Sequence, residues 1–309
     1  MDLITVAGPV PASTVTLADA HSHLWIDPPP GVAPAARIEL NRADAIEAEL
    51  RDFRAAGGSL LVDCQPGGCG RNAKMLLRFA KAAGLHVTAT TGFHLPHYYP
   101  PGHWLWSASE QSAAAYFRRE LTEGVDEAEG VRAATIKVGY SGMIEGQSRT
   151  LMEGAAAAAH ASGAVILFHT EQGRNVEALL PFFAERNVPP AQLYLCHVDK
   201  RPDLGLHREL AQAGVLLGYD TFVRPKYQPD RNVWPLLLGM VESGLAAQVA
   251  ICLDPALPSM WRRMGGAPGL LALPNEICPR LEREGVDAQT AAGLLGGNVA
   301  RFLARRLPA

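Results

Sequence analysis

The sequence predicts an α/β protein folded as a (β/α)8 barrel, and three observations carry that prediction. Short apolar runs rich in β-branched residues alternate with longer stretches at helical spacing, and eight such runs occur, at 15–24, 59–63, 86–91, 134–138, 164–169, 193–197, 215–219 and 248–254. Alternating strands and helices imply parallel strands joined by right-handed crossovers. Eight units close a barrel, and 309 residues suit a barrel with insertions. The first run also ends in His21-Ser22-His23, where an open nucleotide-binding sheet would carry a glycine-rich phosphate turn.

Taken in order, residues 1–14 read as a small hairpin capping the bottom of the barrel. The first strand then runs into Pro28-Pro29-Pro30, a rigid loop rather than a domain boundary. The helix predicted at 43–56 has Ile46, Leu50 and Phe53 near helical spacing. Further helices are predicted at 72–83, 110–123, 150–162, 175–186, 203–213 and 232–242. Gly57, Gly84, Gly163, Gly214 and Gly244 follow several of them, where a left-handed residue ends a helix. The loop at 255–269 is short and offers no long lid, and 270–306 read as extra C-terminal helices. No repeat, low-complexity tract or linker divides the chain, so 1–309 is expected to be a single domain.

Composition narrows the function. With 48% hydrophobic and 19% charged residues the chain can bury a large core. A net charge of −3 lacks the basic excess of a nucleic-acid binder. The apolar stretches are short and broken, so no membrane partner is expected. Met1-Asp2-Leu3 puts an acid where a secretory signal has a basic region, and the five irregularly spaced cysteines suit reduced thiols, so the expected location is cytoplasmic. Cys64 and Cys69 are close together but have no second pair to complete a structural zinc site, and small buried residues near strand ends are the simpler reading.

Active-site residues of a barrel gather at the C-terminal ends of its strands. His21 and His23 lie two apart at the end of strand one, so both imidazoles face one side. Strand four ends in Ile136-Lys137-Val138, and an ammonium inside an apolar strand is costly unless it is paired or chemically altered. Carbamylation by CO2 would turn Lys137 into a carboxylate-like anion able to bridge two cations. His169, His197 and Asp254 end strands five, six and eight, and all are ligand types suited to Zn2+ or another divalent transition ion. Taken singly, each residue has an ordinary reading, such as a satisfied core histidine or a snorkelling lysine. Their joint placement at strand ends does not.

These residues, with Gly70-Arg71-Asn72, Thr91-Gly92-Phe93 and the late Asn298-Val299-Ala300-Arg301-Phe302-Leu303, resemble the phosphotriesterase-like family of the amidohydrolase superfamily, from strand one to the last helix. The resemblance implies two divalent metal ions, Zn2+ first with Mn2+ or Co2+ as alternatives. His21, His23 and Asp254 would hold the more buried ion, and His169 and His197 the more exposed one. Carbamylated Lys137 and a hydroxide would bridge them, and Asp254 would carry the proton from the attacking water to the leaving group. Lys137 and Asp254 are thus the expected catalytic residues, and a homodimer is the implied assembly.

The sequence departs from the organophosphate-hydrolysing members of that family. Their outward proton relay uses a His after strand seven and an Asp after strand six, and the corresponding positions here are Thr221 and Lys200. After strand three stands His94, where phosphotriesterases and quorum-signal lactonases have an aromatic. Arg224, Lys226 and Tyr227 follow strand seven, and cations at this face suit an anionic substrate group. With His94, these three are the expected substrate-binding residues. The expected function is a lactonase acting on a sugar or anionic lactone, phosphorylated or not. The alternatives are a phosphotriesterase or other carboxylic-ester or amide hydrolase and, from another class, a binding protein with a vestigial metal site.

Overall fold

The computed structural model describes residues 1–304. Strands β1 (Asp2–Thr5) and β2 (Gly8–Pro11) form the predicted antiparallel hairpin. It caps the bottom of a barrel: Val6 N–H donates to the Val87 carbonyl at 2.8 Å, and buried Leu3 packs in one cluster with Ala18, Leu60 and Val165.

The barrel strands are β3 (Leu17–Ser22), β4 (Gly58–Asp63), β5 (His86–Thr88), β6 (Thr90–Phe93), β7 (Thr135–Tyr140), β8 (Val165–Thr170), β9 (Leu193–Cys196), β10 (Leu216–Tyr219) and β11 (Val249–Ile251). All paired neighbours are parallel. The predicted third strand comes as two pieces, β5 pairing with β4 and β6 with β7. Ala89 between them still serves the ladder, its carbonyl accepting from Ala134 N–H at 2.8 Å. Closure of the barrel falls between its last and first strands. There Asp254 N–H donates to the His21 carbonyl at 3.0 Å. The buried Asp19 carboxylate takes Leu253 N–H at 2.9 Å, doing the work of a missing ladder carbonyl.

Helices α1 (Ala43–Ala55), α2 (Ala73–Ala83), α3 (Glu110–Thr122), α4 (Gly146–Ser162), α5 (Leu179–Ala184), α6 (Leu204–Gln212) and α7 (Val233–Glu242) fill the crossovers. The helix predicted at 175–186 is shorter, because its first turn, Val176–Ala178, is a 3-10 turn. After β11 come α8 (Cys278–Arg283), α9 (Ala288–Ala292) and α10 (Asn298–Leu303), with π-helical turns at Leu273–Ile277 and Gly293–Gly297. Of the helical segment predicted at 270–306, the last two residues lie outside the described residues. The short 255–269 loop is held by buried Trp261, whose indole N–H donates to the Pro255 carbonyl at 2.8 Å.

The strands sort their side chains by parity. On β8, Val165 and Leu167 join the cluster inside the barrel, while Ile166 and Phe168 join the cluster under the helices. By the same alternation His169 faces inward. On β7, Ile136, Val138 and Tyr140 pack toward the helices, which leaves Lys137 on the inner face. Two elements break parity where the candidate ligands need it broken. The register of β3 against β4 shifts between Asp19 and Ser22, which re-aims His21. His197 adopts φ +66 at the end of β9, out of phase with inward-facing Tyr194 and Cys196.

Candidate metal centre

At the C-terminal mouth of the barrel the imidazoles converge. Ring centroids lie 4.7 Å apart for His21 and His197, 4.8 Å for His169 and His197, and 5.4 Å for His21 and His23. Asp254 Oδ1 is 3.8 Å from His21 Nε2 and 3.6 Å from His23 Nε2. Lys137 is fully buried, and its Nζ lies 3.4 Å from His21 Nε2. The close strand contact that frames Lys137 depends on Gly92, at φ +100, where a Cβ would stand 2.0 Å from the Lys137 carbonyl oxygen.

The hydrogen bonds around the rings fix which nitrogen each offers. His23 Nδ1 donates to Gln65 Oε1 at 2.9 Å; the Gln65 amide nitrogen is engaged with the Cys69 carbonyl, so its oxygen faces the ring. His197 Nδ1 donates to Asp220 Oδ2 at 2.7 Å, and His169 Nε2 donates to Glu171 Oε1 at 3.0 Å. His23 and His197 therefore keep Nε2 lone pairs free, and His169 keeps Nδ1, as ligand histidines held by outer partners do. Burial, reinforced by the Lys137 cation, holds His21 well below the usual imidazole range. Burial likewise lowers His23 to about 3 and His169 to about 4. Burial pushes Asp254 up, but the electrostatic influence of neighbouring His197 and Arg224 outweighs this and leaves it below the usual carboxylate range. Neutral imidazoles beside a carboxylate are the protonation states that metal binding requires.

Two further features of the donor set bear on the implied ions. His21 Nδ1 is buried with no hydrogen-bond partner. Lys137 has no carboxylate oxygen within 4.0 Å among the described residues, so as an ammonium it would be a buried cation without an anion. Both points fit a site that takes divalent cations and a modified lysine.

Several neighbours escaped the sequence reading. Gln65, Asp220 and Glu171 orient histidines, and only their places one or two residues past strand ends could have flagged them. Asp199 Oδ2 accepts from the N–H groups of Asp220 and Thr221, at 2.9 and 2.8 Å, and from the Thr221 hydroxyl at 2.7 Å. Lys200 Nζ lies 3.6 Å from Asp220 Oδ2. The residues at the two relay positions, Thr221 and Lys200, thus engage Asp199 and Asp220. The other recognised motifs prove architectural. Buried Arg71 makes a bidentate pair with Glu120 and donates to the Thr90 carbonyl, fastening α3 to β6, while Asn298 ties α10 to the carbonyls of Ala246 and Val249.

A cavity of about 120 Å3 opens beside the cluster, lined by His23, Gln65, His94, Tyr98, His169 and Asp254, with Ile26 and Ile38 on its apolar side. His94 lies where a substrate-binding residue is expected. Arg224, Lys226 and Tyr227 are not part of this lining. Arg224 Nη2 points instead at Asp254 Oδ2, 3.0 Å away. Lys226 is exposed, its Nζ 4.9 Å from the Tyr227 ring centre.

Comparison with known proteins agrees with this geometry. The sequence profile of the phosphotriesterase family matches residues 1–303. A phospho-furanose lactonase of Mycoplasmopsis synoviae is 27% identical, over 97% of this chain and 91% of its own. The solved structure of an amidohydrolase from Mycoplasma synoviae superposes with a TM-score of 0.91 at 26% identity, covering 98% of this chain and 91% of that one. A lactonase from Listeria monocytogenes shares the fold, with a TM-score of 0.92 at 21% identity over 98% of this chain and 99% of its own. A profile match over nearly the whole length, on a barrel with these strand-end residues, means that the chain belongs to the phosphotriesterase family.

Proposed function

We propose that this chain is a metal-dependent lactonase of its family, acting on a sugar or other anionic lactone, with phosphorylated furanose lactones as the first class to test. The observation that carries the reading is the strand-end cluster: neutral imidazoles of His21, His23 and His169 and the Asp254 carboxylate around a fully buried lysine that has no anion. Family membership and the lactonase relative support the ester-hydrolysing chemistry.

In this reading His21, His23 and Asp254 would hold one divalent cation, His169 and His197 would hold a second, and Lys137, as its CO2 carbamate, would supply an anionic ligand between the two sets. Zn2+ is the first candidate. When bound, the cations supply Lewis acidity toward the ester carbonyl and make water available in deprotonated form near neutral pH. The chain's own groups do the rest. Gln65, Asp220 and Glu171 keep the ring nitrogens in the required tautomers. Asp254 accepts the proton of the attacking water and returns it to the ring oxygen as the lactone opens. His94 and Tyr98 orient the substrate, and Lys226 with Tyr227 meets its anionic group. A homodimer and a cytoplasmic location complete the proposal.

The test is a substrate screen of the purified protein against phosphorylated and unphosphorylated sugar lactones, paraoxon-like phosphotriesters and simple esters. The reading expects lactones to be preferred by at least about tenfold in kcat/KM, a difference of about 1.4 kcal/mol in transition-state stabilisation. Preference for phosphotriesters would overturn it.

A further inference from the structure

The loop after β10 contributes a cation in a position that its sequence does not foretell. Arg224 Nη2 donates to the carbonyls of Leu253 and Asp254, at 2.8 and 2.7 Å, and to Asp254 Oδ2 at 3.0 Å. Its side chain is only 15% exposed, and Asp220 Oδ2 lies 3.8 Å from the same nitrogen. Successive carbonyls of an extended strand point to opposite sides. Here the backbone turns at Asp254, φ +50, and both carbonyls reach a single guanidinium nitrogen. Such a conformation is uncommon for a residue other than glycine and persists when its surroundings hold it. Arg224 is a principal part of those surroundings. It grips the main chain on both sides of the Asp254 peptide and one oxygen of the carboxylate. The other oxygen, Oδ1, is left facing His21 and His23.

We propose that Arg224 is a positioning residue for Asp254, fixing its left-handed backbone and the orientation of its carboxylate, and is not the group that recognises the substrate's anion. The inference rests on the reading of Asp254 as a member of the reacting centre. It also gives the loop a division of labour. The inward cation shapes the centre, and exposed Lys226, held against Tyr227, is free to meet an anion. The guanidinium suits the inward role because it keeps its charge, and all of its contacts here run through Nη2.

The experiment compares wild type, Arg224→Gln and Arg224→Lys on a matched pair of sugar lactones, one phosphorylated and one not, and titrates each metal-stripped protein with Zn2+. Positioning predicts that Arg224→Gln lowers kcat about 10- to 100-fold on both lactones and leaves KM within about threefold. It also predicts Zn2+ affinity weaker by a similar factor, the usual cost of losing an outer partner of a metal site. Arg224→Lys, which keeps one charged donor, should recover part of both losses. The proposal is overturned if Arg224→Gln raises KM about tenfold for the phosphorylated lactone alone while kcat and Zn2+ affinity stay at wild-type values. A variant that fails to fold is replaced by Arg224→Lys, for which the same pattern of KM against kcat decides. Wild type that binds Zn2+ and opens lactones, beside a variant with unchanged kcat, overturns the positioning role alone. Wild type that does neither overturns the lactonase reading with it.

Discussion

The two ends of the barrel interior are chemically opposite. At the bottom, Ala18, Leu60, Val165, Leu167, Leu216 and Ala250 meet the hairpin residue Leu3 in a hydrophobic cluster. At the mouth the inner positions are His21, Lys137, His169 and Asp254, and the buried Nδ1 of His21 has no hydrogen-bond partner. Leu167 and His169 are two residues apart on one face of β8, yet one belongs to each end. The difference teaches that the lower half holds the fold and the upper half is left costly for the sake of chemistry, as barrel enzymes divide their strands.

The sharpest way to break this division is Lys137→Ala. It should abolish turnover while the protein still folds, and short-chain carboxylates added to the assay should restore part of the rate. Full activity in this variant would remove the lysine from the mechanism.

The pair on β8 gives the next test. Leu167→Ala should cost about 2–5 kcal/mol of stability, read by denaturant unfolding, because it leaves a cavity in the closed lower core. His169→Ala should leave the stability of metal-stripped protein within about 1 kcal/mol and remove activity. Equal destabilisation by the two variants would mean that the mouth is as structural as the floor.

A third test uses His207, which lies outside the candidate cluster. Its Nε2–H donates to the Arg201 carbonyl at 3.0 Å, so Nδ1 accepts from the Tyr219 hydroxyl at 2.6 Å. Burial lowers this imidazole from 6.5 to about 4. With the folded pKa below the unfolded one, its contribution is complete above pH 6.5 and is lost as pH falls toward about 4. Asp19, Asp63 and Asp199, raised by burial from 3.8 to about 7, act with the opposite sign across that whole range. The informative quantity is therefore the difference between wild type and His207→Gln. The variant should show a shallower loss of stability from pH 6.5 to 4, by up to ~1.4 kcal/mol per pH unit. Parallel pH curves would contradict it.

The smallest effect is expected at Lys226. Lys226→Gln should raise KM for a phosphorylated lactone about three- to tenfold, in line with a solvent-exposed charge contact, and leave kcat near wild type. An unchanged KM would exclude Lys226 from anion recognition.

Much of this architecture was legible in the sequence, because parallel buried strands read as apolar runs and helices end in glycine. The strand-end residues were legible for the same reason: once His169 or Lys137 is assigned to a strand, period two fixes its side. Four features were not. The register shift in β3 and the left-handed residues at His197 and Asp254 depend on contacts between strands far apart in sequence. The break at Ala89 depends on pairing with two different neighbours. Arg224 looked like a substrate-facing cation because a loop sequence records charge and says nothing of direction; its acceptors lie on residues 253 and 254.

The central claim is that the strand-end set holds two divalent ions around a modified Lys137. Elemental analysis of purified wild type and Lys137→Ala, each dialysed against metal-free buffer after Zn2+ loading, tests it most directly. The account predicts two ions per chain in wild type and less than one in the variant. Two ions in both proteins, or none in an active wild type, would contradict it.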